Sequence, residues 1–115
     1  MATLAQIRQT AAENLGIHGE GETLPDYESD DMGQAYNEVY AGLQDRGLTA
    51  WSSTADVPDL YAGPVAMLVA EARAVKYQIP ENRYVRLKFE ATEALKTIRE
   101  VRASSKMGVT EIESF

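Results

Sequence analysis

Apolar residues recur at helical spacing along most of this chain, and glycines and prolines punctuate them. Leu4, Ile7, Ala11 and Leu15 make one stripe, preceded by Thr3 and Gln6 at capping-box spacing. Gly16 stands where a helix-ending glycine would. Residues 16–28 (GIHGEGETLPDYE) read as a loop, and Ser29 or Asp30 is placed to cap a second helix. Met32, Tyr36, Val39, Tyr40 and Leu43 give that helix its apolar face, and Gly47 ends it. Residues 48–57 are polar and β-branched, which predicts a short strand or extended segment around Trp51.

Pro58 and Pro64 both suit the first turn of a helix, so the spacing predicts a short turn at 58–62 and a third helix at 64–78. Val65, Leu68, Val69, Ala72, Val75 and Ile79 line one side of it, yet Ala66, Met67, Ala70, Ala74 and Tyr77 leave the other side apolar too. A helix apolar on most sides is buried on most sides. This one is either the centre of a bundle or packed on a second subunit. Pro80 breaks the chain, and a fourth helix is expected over 81–103. Its inward stripe is Tyr84, Leu87, Ala91, Ala94, Leu95, Ile98 and Val101, while Val85 and Phe89 point well away. The pattern therefore predicts an all-α, small four-helix bundle. Residues 104–115 (SSKMGVTEIESF) are expected to form an extended C-terminal arm, with a reach on the order of 40 Å.

Composition adds boundaries. The chain has 115 residues, the size of one domain, and 44% of them are apolar, enough for a real core. It has no cysteine, so it has no disulfide, thiolate nucleophile or cysteine-based zinc site. Its start lacks the pattern of a signal peptide, and its apolar stretches are too short to span a bilayer, so no membrane partner is expected. The formal charge is −7, which argues against coating nucleic acid through a basic surface. All of that excess lies in residues 1–47, where nine acids face two bases. The fourth helix and its continuation, residues 81–106, hold seven bases against four acids. Such polarity suits stacking or ring assembly through opposite surfaces, and it equally suits a solvated acidic loop beside a mixed-charge helix.

Catalytic patterns are sparse. His18 is the one histidine, in a loop, with no flagged serine nucleophile to serve. The Gly16, Gly19, Gly21 cluster is not a dinucleotide-binding fingerprint and follows a helix. Asp26, Glu28 and Asp30 alternate as in a calcium loop, but Asp31 and Asn37 stand where glycine and glutamate are needed. No cofactor and no metal is expected. Tyr36, Tyr40 and Trp51 read as core. Arg83, Arg86, Lys96, Arg99, Arg102 and Lys106 are interrupted by Glu90, Glu93 and Glu100, which suits ion pairs and interfaces rather than DNA contact.

A longer pattern runs through the chain. Asn14-Leu15-Gly16-Ile17 closes the first helix, an acidic glycine-rich loop follows, and Ala35-Tyr36-Asn37-Glu38-Val39 lies on the second helix. Gly47-Leu48, Trp51 and Val57-Pro58 come next, then a helix ending near Tyr77. Over residues 3–103 this resembles the small head-to-tail adaptors of tailed bacteriophages, also called connector or tail accessory proteins. The resemblance implies a non-enzymatic virion protein with a helical adaptor domain at 1–103 and a docking arm at 104–115. It implies a ring, twelve copies in the family, at the head-tail junction, assembled in the host cytoplasm. Its expected partners are itself, the portal protein, a tail or stopper protein, and DNA passing through the channel without sequence-specific binding. The ring would extend the DNA channel and retain the packaged DNA.

Residue by residue, Lys106, Met107, Val109, Ile112 and Phe115 would dock on the portal. Met67, Ala70, Ala74, Tyr77, Val85 and Phe89 are expected at the subunit interface. Glu20, Glu22, Glu28, Asp30 and Asp31 are expected on an acidic face toward the channel or a partner, where they would repel phosphates and let a duplex slide. Two other readings fit the residues. One is an intracellular helical interaction protein, of antitoxin or anti-activator type, masking a basic partner. The other is a small enzyme acting on cell-wall or nucleotide substrates with carboxylates.

Overall fold

A computed structural model of the chain describes residues 1–19 and 21–114, with side chains described through Ser104. It is all-α, with four helices in the order α1 (Leu4–Leu15), α2 (Asp26–Asp45), α3 (Asp59–Ala72) and α4 (Glu81–Ser114). α3 is the central helix: α1, α2 and α4 all pack on it, and α1 also packs on α2. Its apolar second side is thus satisfied within the chain at Ala66 and Ala70, which are fully buried in the core beside Val69 of the first side.

The helix ends follow local chemistry. The Thr3 hydroxyl accepts from the Gln6 N–H and the Gln6 side chain accepts from the Thr3 N–H, so both halves of the capping box form. Gly16 ends α1 at φ +80°, with its N–H on the carbonyls of Ala12 and Glu13. α2 ends in a Schellman motif, in which the Leu48 N–H reaches the Leu43 carbonyl at 2.9 Å and the Gly47 N–H reaches that of Gln44 at 3.0 Å. At Gly16 a Cβ would meet the Arg83 guanidinium and force an L-residue into the left-handed region. Gly16→Ala should cost about 1–2 kcal/mol, measurable as a lower urea midpoint at unchanged m-value.

The bounds of three helices differ from the sequence expectation. α2 starts at Asp26 rather than after Ser29, because Pro25 can hold the N-cap position and Asp26 and Glu28 suit the positive end of the helix. α3 is one helix from Asp59 that runs through Pro64, where a separate turn and helix were expected; it stops at Ala72, and residues 73–78 form turns. α4 does not stop at 103. Its backbone stays helical through Ser114, so the stretch after Ser104 is helix where an extended arm was expected.

No strand forms around Trp51 among the described residues; one antiparallel bridge, between Ala2 and Val57, ties the chain start to the α2–α3 connector. The connector is pinned instead by aromatic packing. The Trp51 indole N–H donates to the Tyr36 hydroxyl at 2.9 Å, and the Tyr40 hydroxyl donates to the Trp51 carbonyl at 2.6 Å. Tyr61 lies with its ring centre 4.9 Å from that of Trp51. The expected inward stripe of α4 is in place, with Leu87, Ala91, Ala94 and Ile98 buried and Tyr84, Leu95 and Val101 packed at the margin.

Candidate functional site

The acidic run at the start of α2 divides by helical phase. Asp26, Tyr27 and Asp30 are exposed, whereas Glu28 and Asp31 turn inward onto the same side as Met32 and Ala35. Glu28 and Asp31 are only 9% exposed, so they are corrected from an open acidic face to buried anchors. Glu22 and Asp30 stay at the surface, and Glu20 lies outside the described residues.

Each buried carboxylate has its own partners. Asp31 accepts from Arg73 Nε at 3.1 Å, from Lys76 Nζ at 2.9 Å and from the Tyr77 hydroxyl at 2.8 Å. Arg73 also donates to Glu38. The cluster ties the turns after α3 to the N-terminal part of α2. Burial pushes the Asp31 carboxyl up, but Lys76, Tyr77 and Arg73 together outweigh it and hold the group below its ordinary range. Burial, then the Asp31 hydrogen bond, pushes the Tyr77 phenol far above its own. Glu28 takes the Tyr27 hydroxyl on one oxygen and His18 Nε2 on the other. His18 Nδ1 lies 3.2 Å from Glu22 Oε2.

The expected subunit-interface residues do not form one surface. Ala70 and Ala74 are buried in the chain's own core, because α3 is central, and so have no surface to give a second copy. Tyr77 spends its hydroxyl on Asp31, and Met67 is half-buried beside the core. Val85 and Phe89 are different: they are 62% and 66% exposed, one turn apart on the outer side of α4. The named arm residues Lys106, Met107, Val109 and Ile112 have side chains outside the described set, and Phe115 lies outside the described residues.

Sequence reasoning missed the partners of Asp31. They lie 42 to 46 residues away, and a run of acids looks the same whether solvated or paired. A groove of about 650 Å³ between the end of α1 and the start of α4 is lined by Glu13, Asn14, Arg83 and Arg86. A more apolar one of about 620 Å³ is lined by Ala50, Pro58, Leu60, Tyr61 and Val101. Neither sets a nucleophile beside a base. Among the described residues no group of histidine, aspartate and glutamate is arranged to hold a metal ion. No described helix is long and apolar enough to cross a membrane. In comparisons with known proteins, no family model matches the chain, and no curated protein and no solved structure matches it.

Proposed function

We propose that this chain is a non-enzymatic structural subunit that builds a ring at the head-tail junction of a bacteriophage particle. The ring sits beneath the portal, with twelve copies as in the adaptors it resembles. It carries a tail or stopper protein and passes DNA without reading its sequence. The observation that carries the reading is the outer face of α4. Val85 and Phe89 are large apolar side chains in water on a helix whose other side is buried, a pattern that suits a protein-protein contact. The order of helices, glycine stops and Trp51 supports the same reading through the resemblance. The buried acids favour it over the carboxylate enzyme, since Asp31 and Glu28 are each engaged by structural partners.

The experiment is sedimentation of particles from the natural source, with the chain quantified by peptide mass against the portal subunit. A ratio near one to one in the particle fraction is expected. A chain found only in the small soluble fraction would move the assignment to the intracellular interaction protein. Phe89→Asp tests the surface itself. Burying a phenylalanine is worth roughly 1.5–3 kcal/mol, so its loss should weaken assembly by about 10- to 100-fold. The helical circular dichroism should stay unchanged, because Phe89 is 66% exposed and lies outside the core cluster. Unaltered assembly would remove the α4 face from the ring.

A further inference from the structure

The α1–α2 loop closes on His18, whose side chain is 16% exposed between two carboxylates. Nδ1 faces Glu22 and Nε2 faces Glu28. A neutral imidazole has one N–H and one lone pair. Either neutral tautomer would therefore aim a lone pair at a carboxylate oxygen. With both carboxylates ionised, only the doubly protonated ring supplies a hydrogen to each partner, so the arrangement favours the imidazolium. We infer that His18 is the catch of a proton-operated latch, which holds its end of the α1–α2 loop against α2 while the ring carries its charge and lets go of Glu28 when the proton leaves.

The surroundings of the ring fit a switch at this one group. Hydrogen bonds donated to Glu28, and then to Glu22, raise the titration of the imidazolium above its ordinary range. From α2, the Tyr27 hydroxyl donates to the second oxygen of Glu28 and its phenol is pushed up by the Glu28 charge. Asp31 lies one turn on and is occupied by Arg73, Lys76 and Tyr77 from the turns after α3. Tyr77 is pushed up too, mainly by burial and then by Asp31, with a smaller push from the charge of Glu28. From α1, Glu13 accepts from Gln9 and from the Gly21 N–H, and the Gln9 amide holds it below its ordinary range. Arg8 donates to Ser29 rather than to Glu28. The tyrosines are thus driven away from neutrality in one direction and Glu13 and Asp31 in the other. Histidine is the side chain whose ordinary value of about 6.5 already lies near neutral pH.

The latch has two unequal sides. The Gln9 amide donates to the Glu22 carbonyl at 2.6 Å, and Gly21 is held by Glu13, so the far half of the loop stays tied to α1 without His18. Its link to α2 runs through His18 and Glu28. Loss of the proton leaves Glu22 and Glu28 facing a neutral ring and removes the one positive charge between them, in a corner that already shows Asp26 and Asp30. Because the folded value is raised, the contribution of the latch is whole below about pH 6.5 and is lost as pH rises through the folded value. This inference goes beyond the ring reading and does not depend on it.

The test is a titration of His18 by NMR of its ring nitrogens, joined to the Overhauser contacts between its ring and the Glu28 methylenes. In the wild type both nitrogens should carry hydrogen at pH 6, the midpoint should lie above about 6.5, and the contacts to Glu28 should fade several-fold by pH 9. Glu28→Gln should bring the midpoint back toward that ordinary value with its helices intact. A wild-type midpoint at or below the ordinary value, or equal contacts at pH 6 and pH 9, would overturn the latch.

Discussion

Trp51→Ala is expected to destabilise the fold by about 3–5 kcal/mol. The indole is buried in the α2–α3 connector, between Tyr40 and Tyr61, with ring centres 6.1 and 4.9 Å away. Residues 46–58 contain no helix, so Trp51 is the main apolar anchor of that span together with Val57. Truncation leaves a cavity where three elements meet, and it strips the Tyr36 hydroxyl of the donor that reaches it at 2.9 Å. A buried polar group left unpaired adds about 1–3 kcal/mol on its own. The Tyr40 bond is to the backbone carbonyl and survives the substitution. Domains of this size have only about 5–15 kcal/mol in total, so the variant should unfold at far lower denaturant and lose its near-ultraviolet dichroism. Trp51→Phe separates the two effects, since it keeps most of the packing and removes the N–H; about 1–2 kcal/mol is expected there. A loss below 1 kcal/mol for the alanine variant would mean that the connector is not sealed by the indole.

What was legible in the sequence is what is local. The Thr3–Gln6 box, the Gly16 stop and the Gly47 stop each involve residues within a turn of one another, and each formed as read. The α4 stripe was legible because its period holds from Leu87 to Ile98. Pro64 misled because a proline suits a first turn, and here α3 begins five residues earlier and tolerates it at the cost of one hydrogen bond to Leu60. The apolar spacing through Val75 to Ile79 also misled: it extends past Ala72, but Arg73 and Lys76 leave the helix path to reach Asp31. Charge runs gave no phase. Asp30 and Asp31 are neighbours in sequence, yet one is exposed and the other buried, because a step of about 100° separates them on the helix. From the sequence His18 is a loop residue without chemistry, because its contact depends on Glu28, which a loop running to residue 28 keeps out of the helix.

The same reasoning fixes what Asp31→Ala should do. It should cost about 2–3 kcal/mol, below the roughly 3–5 kcal/mol of a fully buried pair broken on one side. The discount comes from Lys76, which is 62% exposed and returns to water, leaving Arg73 and the Tyr77 hydroxyl as the groups that lose a buried partner. Arg73 keeps Glu38, so its charge is not stranded. Removing Lys76 as well should therefore change little, with a coupling to Asp31 of about 0–1 kcal/mol, as for exposed ion pairs. The pH dependence has a definite sign. The folded Asp31 carboxyl is held below its ordinary range, so its contribution is present above about pH 4 and is lost as pH falls through the folded value. His18 acts in the opposite sense, losing its contribution as pH rises. Wild-type stability measured by urea midpoint should thus decline on both sides, Asp31→Ala should flatten the acid limb alone, and His18→Gln the alkaline limb alone. If Asp31→Ala instead left the acid limb unchanged, the cluster at the turns after α3 would not be held by this carboxylate, and the tie between α2 and those turns would have to come from the apolar contacts of Ala74 and Ile79.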